Sequence, residues 1–388
     1  MMPNSLRPLL VAAFSLFCIG ILNKVQAQDG NGKKDEKKGF DAKEVIFGHV
    51  LNNHDFHILD MVGDNGEKTP ISFPLPVILY SQQRGLDLFM SSHFHHGEES
   101  YHNYLMLTDS RIQELGLDPT FYNAQDIVAL DENGKIDAGI RIFDISITRN
   151  VVQMLIALAF FIWVMLRIAK KYRMGYGVTS APKGSQGLLE PVITFVRDEV
   201  AKPNLGTSYD KYLPFLLTIF FFILINNLFG LIPGSANVSG NIAFTAVLGI
   251  ISFVVILFSS DKHYWGHIIN PPGVPLGVKF ILVPVELISV FIKPFALIIR
   301  LFANMVAGHI IIICLISLIF IFANLSKYAG WGTAPFSIAF TVFIYMIEVL
   351  VAFLQAFIFT MLTAVFIGQA IESKLHQHHE KAEDSMLA

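Results

Sequence analysis

Charge is what this chain has least of. Only 15% of its 388 residues are Asp, Glu, Lys or Arg, against about 25% in soluble domains, so a predominantly water-soluble protein is excluded. Cysteine is nearly absent as well. Of the two, Cys18 lies in a leader-like segment and Cys314 in an apolar helix, which excludes a disulfide framework. No G-x-x-x-x-G-K-[ST] loop occurs, so nucleotide chemistry of the P-loop kind belongs elsewhere. The net charge is −3 with no basic patch, which argues against nucleic acid as a partner. A convincing internal repeat is missing too, and many secondary transporters carry one.

What is present is apolar: 53% of the residues are hydrophobic. The chain opens with Arg7, an apolar stretch over 9–22 and Val25-Gln26-Ala27. This pattern predicts a secretory signal over 1–27, cleaved after Ala27, with an uncleaved first span as the alternative. A Gly/Lys/Asp-rich linker follows over 28–40, then an exported domain over 41–146 with strands expected at 71–80, 86–90 and 140–147. Turns are expected at Asp64-Asn65-Gly66 and Glu132-Asn133-Gly134. Seven histidines (His49, His54, His57, His93, His95, His96 and His102) crowd this domain. Imidazole suits zinc or copper, but the spacings match no metal motif, and no metal site is assigned.

The remainder reads as a membrane domain over 147–371 with a polar tail over 372–388. Spans are expected at 150–166, 212–232 and 241–260, then within the apolar run 280–323 and at 336–370. An amphipathic stretch over 188–200 is expected on the inner membrane surface. The turn between the last two spans falls at 324–334 with Lys327 and Gly330-Trp331-Gly332. Eight Lys or Arg lie in 167–211 and one in the short opposite loops. The positive-inside rule therefore places the N-terminus outside and the C-terminus in the cytoplasm. The fold expected is an all-α polytopic membrane protein of about five transmembrane helices, including a long tilted helical hairpin, plus a small exported N-terminal α/β domain.

Ionisable groups inside the bilayer are functional hypotheses by default. Arg300 sits amid some twenty mostly apolar residues on either side. Arginine stays charged at physiological pH, and a guanidinium at mid-bilayer costs about 2.5–3.5 kcal/mol on the insertion scale. Glu286, Lys293, Arg300 and Asn304 fall at offsets −14, −7, 0 and +4. At about 100° per residue they share one stripe. His309 lies on the opposite side of that helix, about 13 Å further out. On the return helix Glu348 and Gln355 are seven apart and share a face. This predicts an outer polar file of His309, Glu348, Gln355 and Asn304, with Glu286 about 21 Å inward of the arginine. Protons could hop along His309 and Glu348 but not past a fixed cation, so they would ride on a partner's carboxylate. The alternative is a buried His–Glu pair that fixes helix packing. Asn226, Asn227, Asn241 and Ser317 suit interhelical hydrogen bonding, with Asn226 and Asn241 also candidates for channel lining beside Lys293.

The run Lys293-Pro294-x5-Arg300-Leu301-Phe302-Ala303-Asn304-Met305-x-Ala307-Gly308-His309, with Leu354-Gln355-Ala356-Phe357-Ile358-Phe359 on the next helix, resembles subunit a of the rotary F-type ATP synthase. Asn226-Asn227-Leu228-x-Gly230-Leu231-x-Pro233 and Asn237…Asn241 are similar to that family too, and the likeness covers roughly 145–371. The resemblance implies a proton-translocating stator subunit without catalytic chemistry of its own and without a cofactor. It sits in a bacterial inner membrane beside a ring of c subunits, the b subunits of the peripheral stalk and the remainder of the F0F1 complex. Arg300 would match the family's essential arginine. Asn304, His309, Glu348 and Gln355 would match the outer half-channel, and Glu286 the inner one. Some family members carry Glu where His309 stands and His where Glu348 stands, so this chain has the pair exchanged. Nothing in the resemblance explains the segment 28–145. The competing readings are a stand-alone proton-coupled secondary transporter and a non-transporting membrane anchor.

Overall fold

The computed structural model describes residues 54–62, 68–97, 99–118, 121–131, 134–137, 139–175, 182, 184–232, 235–260, 262–270 and 275–387. The signal, the linker, His49 and the Asp64-Asn65-Gly66 turn fall outside them. So do the side chains of His57 and His96 and those of the tail from 372.

The N-terminal part is mostly β. Strands β1 (Asp55–Val62) and β2 (Lys68–Pro74) form one antiparallel pair. A three-stranded antiparallel sheet follows in the order β4-β3-β7, with β3 at Pro76–Ser81, β4 at Gly85–Met90 and β7 at Ile142–Asp144. Alternation along β3 sends Val77, Leu79 and Ser81 inward and leaves Ile78 and Tyr80 on the other face, as a pleated strand requires. A two-stranded ribbon, β5 (Tyr104–Met106) with β6 (Ile127–Ala129), packs under it. Tyr104 and Met106 join the core of Val77, Leu79, Phe89 and Phe94. Leu105 and Leu107 face a second cluster with Ile112, Val128 and Leu130. Among the described residues here the one α-helix, α1 (Asp109–Glu114), starts where the Thr108 hydroxyl accepts from the Arg111 amide at 3.3 Å, an N-cap bond. The strands expected at 71–80, 86–90 and 140–147 are present with shifted ends, because Leu75 separates β2 from β3.

Among the described residues the membrane part has five helices long and apolar enough to cross a bilayer. Helix α2 spans Arg149–Arg173. Next come α3 (Ser185–Phe195), a π-helical turn (Val196–Ala201), α4 (Lys202–Leu205) and α5 (Tyr209–Gly230), nearly end to end. The stretch expected to be amphipathic, 188–200, is helical throughout, within α3 and the π-helical turn. Its apolar stripe of Val196, Val200, Ala201 and Leu205 is fully buried in one cluster with Ala364, Ile367 and Ala370.

Helix α6 spans Ile242–Ser259, and the short α7 spans Lys262–Ile269. The hairpin follows: α8 (Leu276–Leu325, 50 residues) and α9 (Lys327–Leu387, 61 residues). At 1.5 Å per residue α8 is about 75 Å long, more than twice the hydrocarbon thickness, so it crosses at a steep tilt. The turn is tighter than the sequence suggested. Only Ser326 is extended (φ −163°, ψ 138°), and α9 is helical from Lys327. Gly330 makes this geometry fit: a β-carbon there would stand 2.9 Å from the Ala323 Cα.

Candidate functional site

The buried side of α8 is the stripe Val290, Leu297, Leu301 and Met305, at spacings that keep one helical face. Arg300 is one residue off that stripe and is exposed, as is Asn304. It is the 25th of the 50 residues of α8, so it stands midway along the helix. Arg300 makes no hydrogen bond or ion pair among the described residues, and the chain's own Glu286 and Glu348 do not reach it. The outward face beside it carries Ala296, Ala303 and Ala307, small side chains that let another helix approach closely.

On one side of the arginine lies an inner polar group. Lys293 donates to Gln369 Oε1 at 2.9 Å, and its ammonium stands 5.0 Å from the centre of the Phe366 ring. Glu286, two helical turns away on the same face, is half-buried and near enough for its charge to act on Lys293 and on Tyr264 of α7.

On the other side lies an outer cluster held by the end of α5. His309 donates from Nε2 to the Gly230 carbonyl at 2.9 Å. In the neutral ring this leaves Nδ1 as the acceptor. That atom is buried without a partner among the described residues. Glu348 on α9 is 8% exposed, and both its carboxylate oxygens are buried and unpartnered among the described residues. Its carboxyl rests on Gly308, where an added β-carbon would overlap Oε1. The two residues thus pack against the same turn of α8 without a direct hydrogen bond. Gln355, seven residues on from Glu348, is 2% exposed. The Tyr345 hydroxyl donates to the Leu231 carbonyl.

Two asparagines clamp this arrangement. Asn227 donates to the Ala352 carbonyl at 3.2 Å and accepts from the Ser239 hydroxyl. Asn237 donates to the Met305 carbonyl at 3.2 Å. The asparagines considered as lining bond within their own helices, and Asn226 Oδ1 is buried without a partner among the described residues. Asn241 caps α6, accepting from the Ala243 amide at 2.9 Å. Asn226 is buried and donates to Phe222 O at 2.8 Å. Ser317 is buried on α8.

The sequence reading missed Arg149. It is 6% exposed at the first turn of α2, donates to the Ser235 carbonyl at 2.7 Å, and its charge reaches His309. Its only sequence signal was a cation on the outer edge of the first span, which also fits an ordinary flanking charge. Gly308 entered only as part of the family-like run and Tyr345 not at all, since their roles come from what lies opposite them.

The described histidines of the N-terminal part disperse into separate contacts. His54 bonds Asp144 at 2.9 Å, His95 lies 3.7 Å from Glu99, and His93 and His102 stack on either side of Tyr101 at centroid distances of 4.3 Å. No three potential metal ligands converge among the described residues.

A helical membrane bundle with a mid-helix arginine and a separate buried acid–imidazole cluster defines a class, the polytopic proteins that hold ionisable groups inside the bilayer. Comparison with known proteins narrows it. The family described as ATP synthase A chain matches residues 151–368, more than half the chain, and a family described as a domain of unknown function matches 45–145. ATP synthase subunit a of Chloroherpeton thalassium is 48% identical over 237 residues, covering 60% of this chain and 69% of that protein. ATP synthase subunit a 2 of Prosthecochloris aestuarii is 46% identical over 247 residues (61% and 72%), and that of Chlorobaculum tepidum 46% over 244 (61% and 67%). The chain belongs to the ATP synthase A chain family, and it is a multi-pass membrane component of the F0 sector.

Proposed function

We propose that this chain is the proton-translocating stator subunit of an F-type ATP synthase, and that it forms two half-channels which load and unload a carboxylate on a ring of c subunits. The observation that carries this reading is Arg300: a permanent cation midway along a tilted helix, exposed on a face lined with small residues and without a partner among the described residues. Such a charge calls for a counter-ion or a water-filled cavity, and a ring carboxylate passing it would supply the counter-ion. Arg300 holds that acid deprotonated as it passes and repels any proton attempting to cross directly.

In this reading His309 and Glu348 relay protons on the outer side, with Gln355 and Asn304 leading towards Arg300, and Glu286 receives them on the inner side. Lys293, tied to Gln369, lines the inner route. Asn226, whose buried Oδ1 has no partner among the described residues, and Asn241 are further candidates for the lining. The chain does no nucleotide chemistry; that belongs to the F1 sector, and the b subunits brace this chain against rotation. The signal over 1–27, the exported domain over 41–146 and the basic loop 167–211 support an N-terminus outside and a cytoplasmic C-terminus in a bacterial inner membrane. One charge crossing 100 mV releases about 2.3 kcal/mol, so ATP synthesis needs several protons per turnover, which a rotating ring provides.

Arg300→Ala tests the reading. The complex should assemble, since no partner among the described residues is lost, while ATP-driven proton pumping in inverted vesicles should be abolished. Normal pumping in that variant would remove the arginine from the mechanism. A chain that purifies without ring or ATPase head would favour a stand-alone transporter.

A further inference from the structure

The sheet β4-β3-β7 has one face in the core, and the other is exposed, with no cover from the described residues. Register sets the open face as three cross-strand rows. Phe143, Tyr80 and Leu86 form the first row. Ile78 and Leu88 form the second with Ile145, whose amide bonds Ile78 O at 2.9 Å. Pro76 and Met90 form the third with Ile147, whose amide bonds Pro76 O at 3.2 Å. Leu88 is 69% exposed, Leu86 68%, Ile145 63% and Phe143 54%. No row contains a charged side chain, and the only polar group is the Tyr80 hydroxyl. The ionisable residue of β7, Asp144, points to the opposite face, where it meets His54.

Contiguous apolar surface of this kind is unusual on a soluble domain and marks an interaction site. The chain itself indicates what covers it. Ile147 precedes the first residue of the membrane helix α2 by two positions and Ile145 by four, so at about 3.3–3.6 Å per residue the nearer two rows end within about 14 Å of the bilayer boundary. Interfacial elements bury their apolar face by about 5–10 Å, and aromatic rings such as Tyr80 and Phe143 settle at the headgroup level. A protein partner would call for a polar rim with hydrogen-bonding groups, which these rows lack.

We propose that this sheet face is a lipid-docking surface, by which the N-terminal β domain rests on the bilayer beside α2. The domain is thereby fixed against the membrane next to Arg149 and His309, at the mouth of the outer cluster.

The test is spin-label accessibility in the intact complex, reconstituted in phosphatidylethanolamine–phosphatidylglycerol vesicles. Leu88→Cys and Ile145→Cys are made in a Cys18→Ser/Cys314→Ser background, with Phe121→Cys as a control elsewhere on the domain; all three positions are exposed, so labelling leaves the core intact. At Leu88 and Ile145, collision with oxygen, which concentrates in lipid, should exceed collision with a water-soluble nickel chelate several-fold, and at Phe121 the order should reverse. Two outcomes would overturn the proposal. Dominant nickel collision at Leu88 and Ile145 would mean that the face is open to water. Low collision with both probes would mean that protein covers it, either the segment 1–53 of this chain or another subunit.

Discussion

Gly308→Ala adds one methyl group to the outer cluster at a point where the structure leaves no room for it. The new carbon would overlap Glu348 Oε1 and stand 2.7 Å from its Cδ and 3.2 Å from its Cγ. In the interior of a helix, replacing Gly by Ala contributes about 1 kcal/mol of helix stability. The overlapped group is the end of a rotatable side chain, so it escapes by turning off its rotamer, at about 0.5–1.5 kcal/mol. The two effects nearly cancel, and the thermal stability of the complex should stay within about 1 kcal/mol of wild type. Function should not. The carboxyl moves by an ångström or more, and misplacement on that scale costs reactions up to about 100-fold. ATP-driven quenching of a pH-sensitive dye in inverted vesicles, normalised to assembled complex, should fall at least about tenfold. Glu348→Asp in the Gly308→Ala background withdraws the overlapping oxygens by one methylene and should recover part of the rate. Wild-type pumping by Gly308→Ala, or no recovery in the double variant, would show that the seat of Glu348 does not matter to proton flow.

Asn227→Leu removes a fully buried amide that joins α5 to Ala352 of α9 and to Ser239. The Ser239 hydroxyl then loses its acceptor, and the complex should lose about 1–3 kcal/mol of stability in thermal unfolding, whereas unchanged stability would mean that the clamp is idle. Asp144 offers a pH prediction outside the membrane. Burial alone would raise its carboxyl pKa, but the hydrogen bonds from His54 and Ser146 outweigh burial and hold it below the usual carboxylate value. A depressed folded-state pKa stabilises above the unfolded value of about 3.9 and is lost as pH falls through the folded one. Amide protection factors in β3 and β7, taken relative to intrinsic exchange at each pH, should therefore fall below about pH 4, and Asp144→Asn should flatten that dependence; because the carboxyl is about a third exposed, the difference should stay within about 1 kcal/mol. An unchanged acid profile in Asp144→Asn would dissociate the pair from the stability of the sheet.

The sequence alone determined whatever depends on period and on chemical cost. Runs of uncharged residues gave the five spans, since nothing else keeps such segments from water. A mid-bilayer arginine marked the site because its charge does not titrate away, and the Lys293–His309 run with Leu354–Phe359 gave the family. Pairing across elements needed the tertiary structure. Arg149 looks like any flanking cation until the Ser235 loop and His309 close over it. Gly308 is only part of the family-like run until Glu348 occupies the space where its side chain would be, and the stripe of 188–200 does not say whether lipid or α9 will bury it. The open face of β4-β3-β7 was hidden for the same reason. Each strand alternates in its own sequence, but only the register that sets Phe143 beside Tyr80 and Leu86 assembles their outward residues into one surface. Period is a local property of the backbone, whereas contact depends on which distant segment arrives opposite.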